Sequence, residues 1–247
     1  MQKAVSGATK IESLILEGGI RIGIDTGTGQ LTPDPAPIEM RLLPPAHYLR
    51  AYETAYRGVF TTLHQDGFRG PAPLYASTPL QPGTTSSSSP VGDAYVSAQR
   101  AAAARLFLGV TGMLEGPLVL KVEPGIAAST LHVTGPDNFD CDVDVAADTG
   151  TPLRVRYEGS SFFYTPPAEG QRRADQWVDK AEFTLGFADR RPVGGVLVPY
   201  AITLTARSLR TGQSYVTEEI RLERARVNPP LTVSDFKVLS VADFKVK

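Results

Sequence analysis

The chain has 247 residues, with 25 Lys and Arg against 26 Asp and Glu, a net charge of −1, and 42% hydrophobic residues. That length and apolar content suit one large β domain with a sizeable core, and the neutral balance supplies no field to gather nucleic acid or an acidic membrane surface. A single cysteine, Cys141, excludes an internal disulfide and a cysteine-based zinc site, and no apolar run approaches the ~18 residues of a membrane span.

The first ten residues, "MQKAVSGATK", hold no hydrophobic signal core, so the chain is either cytosolic or begins after a removed signal peptide. A short helix using Val5 and Ala8 is expected there. "LILEGGIRIGI" then keeps Leu14, Leu16, Ile20, Ile22 and Ile24 in one parity, the mark of a half-buried strand. Gly18 inside it permits a bulge or a close backbone approach. "GIDTGTGQ", residues 23–30, contains the Asp-Thr-Gly of aspartic proteases, and residues 148–150 repeat it. Protease chemistry needs two such carboxylates sharing one proton in an apolar, structured setting; both copies read as turns. Met40 and Leu42 continue the inward parity. "AYETAYRGVF" sets Tyr52, Tyr56 and Phe60 four apart, which fits a short lid helix or a strand end.

Residues 70–92, "GPAPLYASTPLQPGTTSSSSPVG", are too rich in Pro, Ser, Gly and Thr to build a core. They read as a flexible insertion within a single domain spanning 1–247, with disorder centred on Thr84–Ser89. "SAQRAAAARLFLGV", residues 97–110, predicts a helix capped by Ser97, with Leu106, Val110 and the Ala102–Ala103 pair on one face. "FDCDVDV" alternates Phe139, Cys141, Val143 and Val145 with three aspartates. D-x-D-x-D opens a calcium loop, but Val145 and Thr151 stand where that loop needs Gly and Glu. The stretch is therefore a strand with an acidic outer face. His47, His64 and His132 have no ligand spacing. Phe162, Phe163, Tyr164 and Trp177 flank "TPPAEGQRR" and fit either a core edge or a hydrophobic ligand site.

Two further strands, "AEFTLGF" and "VLVPYAITLTA", flank the turn-rich "ADRRPVGG". Phe183, Leu185 and Phe187 share one face of the first; Tyr200, Ile202 and Leu204 share one face of the second. Pro199 marks an edge or a bend. Arg221, Arg224 and Arg226 interleave with Glu219 and Glu223 as a solvated strand face. The tail carries Asp-Phe-Lys-Val twice, at 235–238 and 243–246, after the break Asn228-Pro229-Pro230. The even offset predicts one continued strand with Phe236, Val238, Phe244 and Val246 on one face. No nucleophile elbow, zinc helix, phosphate loop or dinucleotide fingerprint occurs, so no catalytic residue, metal set or cofactor is predicted.

Several stretches go beyond generic β patterning. "DTGTPLRVRYEG" offers Asp148, Thr149, Gly150 and Pro152. "FADRRPVGGVLVPYAITL" with "RARVNPPLTVSDFKV" offers Asp189, Arg190, Gly195, Val196, Pro199, Val227, Asn228, Pro230 and Phe236. With the opening "AVSGATKIESLILEGGIRI", these resemble the outer-membrane lipoprotein-carrier (LolA-like) superfamily of bacteria. The resemblance implies a mainly β, α+β fold: a strongly curved antiparallel sheet, or half-open β-barrel, with a few helices covering its concave face. It implies a periplasmic or cell-envelope location, and a lipid or an acylated protein as partner, held without catalysis or cofactor. A partner-binding accessory or sensor domain, engaging another envelope protein, is the alternative. Inward parity then nominates Leu16, Ile20, Ile22, Met40, Leu42, Leu106, Phe183, Leu185, Phe187, Tyr200, Ile202 and Leu204 as candidates for the cavity wall.

Overall fold

The structure, a computed structural model, describes residues 10–23, 30–56, 60–80, 93–112, 119–135, 139–165 and 175–244. They form one antiparallel sheet of twelve strands in two meanders. The first runs through β1 (Leu14–Ile22), β2 (Ala36–Leu43), β3 (His47–Tyr56), β4 (Phe60–Arg69) and β5 (Ala72–Pro79). The second runs through β6 (Val119–Glu123), β7 (Ala128–Thr134), β8 (Asp140–Ala146), β9 (Pro152–Thr165), β10 (Asp175–Val193), β11 (Val196–Ser208) and β12 (Ser214–Val227). The spatial order β5-β4-β3-β2-β1-β12-β11-β10-β9-β8-β7-β6 shows that the pairing of β1 with β12 joins the meanders. Helix α1 (Asp93–Thr111) leads from one edge strand, β5, to the other, β6.

The sheet curls around that helix without closing into a barrel. Arg100 of α1 lies over the Phe68 ring and donates to Gly70 O, beside β4. Gly109 meets the Phe187 ring of β10. Those helix residues are about 14 Å apart along the axis, whereas β4 and β10 are separated by about 29 Å across six spacings of a flat sheet. Only a strongly curved sheet reaches both.

Alternation decides which face is inside. Leu14, Leu16 and Ile20 of β1, Ile38, Met40 and Leu42 of β2, and Val143, Val155, Val198 and Ile202 of the second meander pack with Leu106, Phe107 and Val110 of α1 as one core. Gly18 sits at a register shift against β12, where a Cβ would lie 2.1 Å from Arg221 O. The seam is clipped at its end by Asn228: its Oδ1 accepts the Glu12 and Ser13 amides, and its Nδ2 donates to Lys10 O.

Several expectations change. The tail is not an added strand. Val233–Asp235 is a single 3-10 turn, and residues 241–244 form another turn. Phe236 and Phe244 are both buried in a second core, with Leu239, on the outer face of β3–β5 against Leu49, Ala51, Leu63 and Leu74. Val238 is exposed, and Val246 lies outside the described residues. The cause is a longer repeat: Thr232 and Ser240 each precede an aspartate by three residues. Asp235 accepts from the Thr232 amide, and Asp243 from the Ser240 hydroxyl, so each copy makes a side-chain-capped turn that presents its phenylalanine inward. Gln65 completes the dock, donating to Leu239 O at 2.9 Å and accepting the Leu239 amide at 2.6 Å.

Part of the stretch read as a flexible insertion, 72–79, is strand β5. Pro73 and Pro79 are tolerated because β5 is an edge strand. Thr84–Ser89 lie outside the described residues, as do Val5, Ala8, Ile24 and the first Asp-Thr-Gly. Pro199 is paired on one side only: Arg190 of β10 stands opposite it, one residue from the left-handed Asp189 (φ 51°), whereas the pairing of β11 with β12 begins at Ala201, so the strand has a local edge at the proline. Tyr52 belongs to a strand, not a lid helix, and Tyr56 and Phe60 end and begin β3 and β4. The helix starts at Asp93, four residues before Ser97; Ala103 is buried while Ala102 is exposed. It is the one α-helix among the described residues, where several were expected.

Candidate ligand site on the concave face

The inward-parity residues divide by how far they are covered. Leu16, Ile20, Met40, Leu42, Phe187 and Ile202 are buried beneath or beside α1, together with Leu106 of the helix itself. Ile22, Phe183, Leu185, Tyr200 and Leu204 are only partly buried. The helix lies near the end of the sheet that holds the β4–β5 turn and the start of β9. At that end Arg190 secures it, donating to the carbonyls of Gly109 and Val110 of α1 and to Pro152 and Leu197. Burial lowers the Arg190 pKa to about 10, so the side chain still carries its charge at neutral pH.

Away from α1 the concave face is less covered. Tyr157 of β9 stands opposite Phe183 of β10, ring on ring at 5.2 Å, and Leu185 stands opposite Leu204 of β11. Leu204 in turn pairs with Glu218 of β12. Further along the same strands, the buried Phe163 stacks on Trp177 at 6.2 Å and meets Tyr215 edge-on at 5.5 Å. Phe162 points to the other face and is exposed. The side chain of Tyr164 lies outside the described residues.

A polar and aromatic group occupies the deep part of this face. Arg50 of β3 pairs with Glu218 across the curl at 2.9 Å, their side chains 17% and 21% exposed. The Arg50 guanidinium also lies 4.5 Å from the Tyr52 ring centre, and Tyr52 stacks on His64 at 5.5 Å. Asp66 of β4 stands between Arg50 on β3 and Tyr75 on β5. Tyr95 of α1 meets Tyr75 edge-on at 6.0 Å. Asp66 accepts no hydrogen bond and makes no ion pair among the described residues. Burial pushes its carboxyl up to about 6, against the pull of Arg50, and Glu218 pushes it further. Burial also pushes the Tyr52 hydroxyl up to about 12 and holds His64 below its ordinary value, neutral at pH 7. On the opposite wall Arg105 of α1 lies 4.0 Å from the Tyr157 ring centre and 5.3 Å from that of Phe139.

Arg50, Asp66, Tyr75, Tyr95 and Glu218 were not nominated from sequence. A usable signal existed: in "HYLRAYE", Arg50 shares the parity of Tyr48 and Tyr52, so a charge stands on the inward face.

Elsewhere the chemistry is structural. Asp144 is held by Arg154, Arg156 and Thr130, and His132 pairs with Asp142 at 2.7 Å. The acidic outer face of β8 is thus neutralised by its neighbours. His47 accepts the Gly70 amide and packs on Phe236. Asp148–Gly150 is a turn, with Gly150 at φ 67°. Cys141 is buried and its thiol is pushed up to about 12, which keeps it protonated and unreactive. Among the described residues no three His, Cys, Asp or Glu side chains are placed to hold a metal ion, and no helix is long and apolar enough to cross a membrane.

No protein-family model and no curated protein matches the chain. Two solved structures are similar to it in fold. One is a LolA superfamily protein from Nitrosomonas europaea, with a TM-score of 0.49 and 13% identity, covering 96% of this chain and 97% of that one. The other is described as an outer-membrane lipoprotein-sorting protein domain, from Vibrio parahaemolyticus, with a TM-score of 0.46 and 11% identity, covering 95% of this chain and 93% of that one.

Proposed function

We propose that this chain is a non-enzymatic cell-envelope protein that binds a hydrophobic ligand, a lipid or a lipoprotein acyl chain, on the concave face of its curved sheet. The observation that carries this reading is the partly buried row Phe183, Leu185 and Leu204, apolar side chains set inside the curl and left incompletely covered. An alkyl chain laid along that row gains about 0.8 kcal/mol for each buried CH₂, so useful affinity needs no specific polar contact. Ile22 and Tyr200, also partly buried, extend the wall. Leu16, Ile20, Met40, Leu42, Leu106, Phe187 and Ile202 serve as core and as the support of α1. The polar groups of the hollow stabilise and orient; none forms a nucleophile with an adjacent base. The sequence resemblance to envelope carriers supports the periplasmic setting.

Native mass spectrometry and solvent extraction of protein purified from the cell envelope test the reading. Bound lipid is expected in the wild type and is depleted in Leu185→Asp/Leu204→Asp. A protein that retains no lipid and takes up no alkyl probe rules it out.

A second reading draws on β6. This edge strand is exposed throughout, with Val119, Leu120 and Val122 between 48% and 69% accessible. An accessory or sensor domain pairing this edge with an envelope partner fits that exposure. Lys121→Pro, which obstructs strand pairing, then abolishes complex formation while leaving any lipid content unchanged.

A further inference from the structure

We propose that the deep end of the hollow receives a protonated amine or quaternary ammonium group, so that the ligand is an amphiphile with a cationic head at Asp66 and its tail along Phe183, Leu185 and Leu204. This deepens the reading above and rests on it for the tail alone.

The argument starts from which charges are already engaged. Arg50 is satisfied electrostatically by Glu218 at 2.9 Å and covered by the Tyr52 ring. Arg105 donates to Asp140 O and is sandwiched by Tyr157 and Phe139. Each of these cations therefore has a partner already, although Arg50 Nε and Arg105 Nε are left without a hydrogen bond. Asp66 has none: it stands partly buried between Arg50 of β3 and Tyr75 of β5, and no described group bonds to it. Arg50 thus faces two carboxylates, Glu218 and Asp66, and the trio carries a net negative charge.

The surroundings of that carboxylate suit an ammonium better than a metal or a hydrogen-bond donor from solvent. Tyr75 stands beside it in register and Tyr95 lies edge-on to Tyr75, so two tyrosines stand next to the charge. A cation seated among aromatic rings is attracted by their quadrupoles, most strongly where water is excluded. Among the described residues no three His, Cys, Asp or Glu side chains are placed to hold a metal ion there. An unpaired, partly buried carboxylate costs stability, and a cationic ligand group removes that cost on binding.

The head group can come from a lipid bearing choline or ethanolamine, or from a free amphiphilic amine. Calorimetric titration of the full chain separates them, using dodecyltrimethylammonium, dodecyl maltoside, dodecyl sulfate and lysophosphatidylcholine, each below its micelle concentration. The expected result is that dodecyltrimethylammonium binds about tenfold tighter than dodecyl maltoside. Asp66→Asn removes that advantage and leaves dodecyl maltoside unchanged. Tyr75→Leu weakens the cation about threefold, keeping the carboxylate in place. Asp66-dependent binding of lysophosphatidylcholine identifies a lipid source; Asp66-dependent binding of the simple amine alone identifies a free amine. Equal binding of the cation to wild type and a folded Asp66→Asn, or a preference for dodecyl sulfate, overturns the inference. If that happens while dodecyl maltoside still binds, the hydrophobic-site reading stands without it. If no alkyl probe binds, both fall.

Discussion

Asp66 makes the stability of the protein depend on pH in an unusual direction. Arg50 from β3, Glu218 from β12, His64 from its own strand, Tyr75 from β5 and Tyr95 from α1 face it or lie nearest. Its folded pKa, about 6, stands above the ordinary 3.8. The folded state therefore holds the proton more tightly, and stability from this group is fully present below the ordinary value and lost as pH rises through about 6. The ionised form at pH 8 costs about 1–3 kcal/mol. Asp66→Asn should raise the urea midpoint at pH 8, and the gain should vanish near pH 4. A constant difference between the two proteins across that range would show that Asp66 is not the cause. Arg190 is the opposite case, a partly buried charge whose two terminal nitrogens are both engaged. Arg190→Met strips the donor from four carbonyls, including those that end α1, and should cost about 3 kcal/mol in a thermal or denaturant melt. Arg190→Lys should rescue little of it, because an ammonium cannot reproduce the guanidinium fork.

The C-terminal tail is the element whose removal is most informative. Truncation after Ser240 deletes the buried Phe244 and should cost about 2–4 kcal/mol, with ligand uptake intact because the tail covers the outer face. Loss of uptake at full stability would instead place the tail in the binding apparatus. Gln65→Leu tests the same dock from the sheet side: it leaves both polar groups of Leu239 unanswered and should cost about 2 kcal/mol. The elements also show what the residues disclosed and what they concealed. Strict alternation located the strands at 14–22, 140–146, 181–187 and 196–206, because a half-covered sheet imposes a period of two. Strand β5 was hidden because an edge strand tolerates the prolines that elsewhere signal a loop. The tail was misread because a capped turn and a strand can both repeat a buried phenylalanine at even spacing. Within the hollow, parity put Phe183, Leu185 and Leu204 on the inward face. It could not separate them from Leu16 or Ile202, since packing under a helix and facing a ligand ask for the same side chains. The charged members were invisible for a different reason: Arg50 and Glu218 are brought together by the curl, 168 residues apart in sequence.

At the scale of the whole molecule, two meanders are held by one seam and one crossing helix. Gly18 is the point where the seam tolerates least change. Gly18→Val drives a side chain into the β12 backbone and should destabilise by more than about 3 kcal/mol, reported by loss of the cooperative melt. The seam also sets an order of events during synthesis. β1 is made before the other strands described, and its partner β12, Ser214–Val227, after them all. Until then one edge of β1 is bare and open to pairing with another chain. The protein cannot finish folding strand by strand as it emerges, and pairing at such sequence distance is slow to form. Chains truncated before Ser214 should be protease-sensitive and should require a holding chaperone, while those that extend past Asn228 should reach the resistant state, slowly.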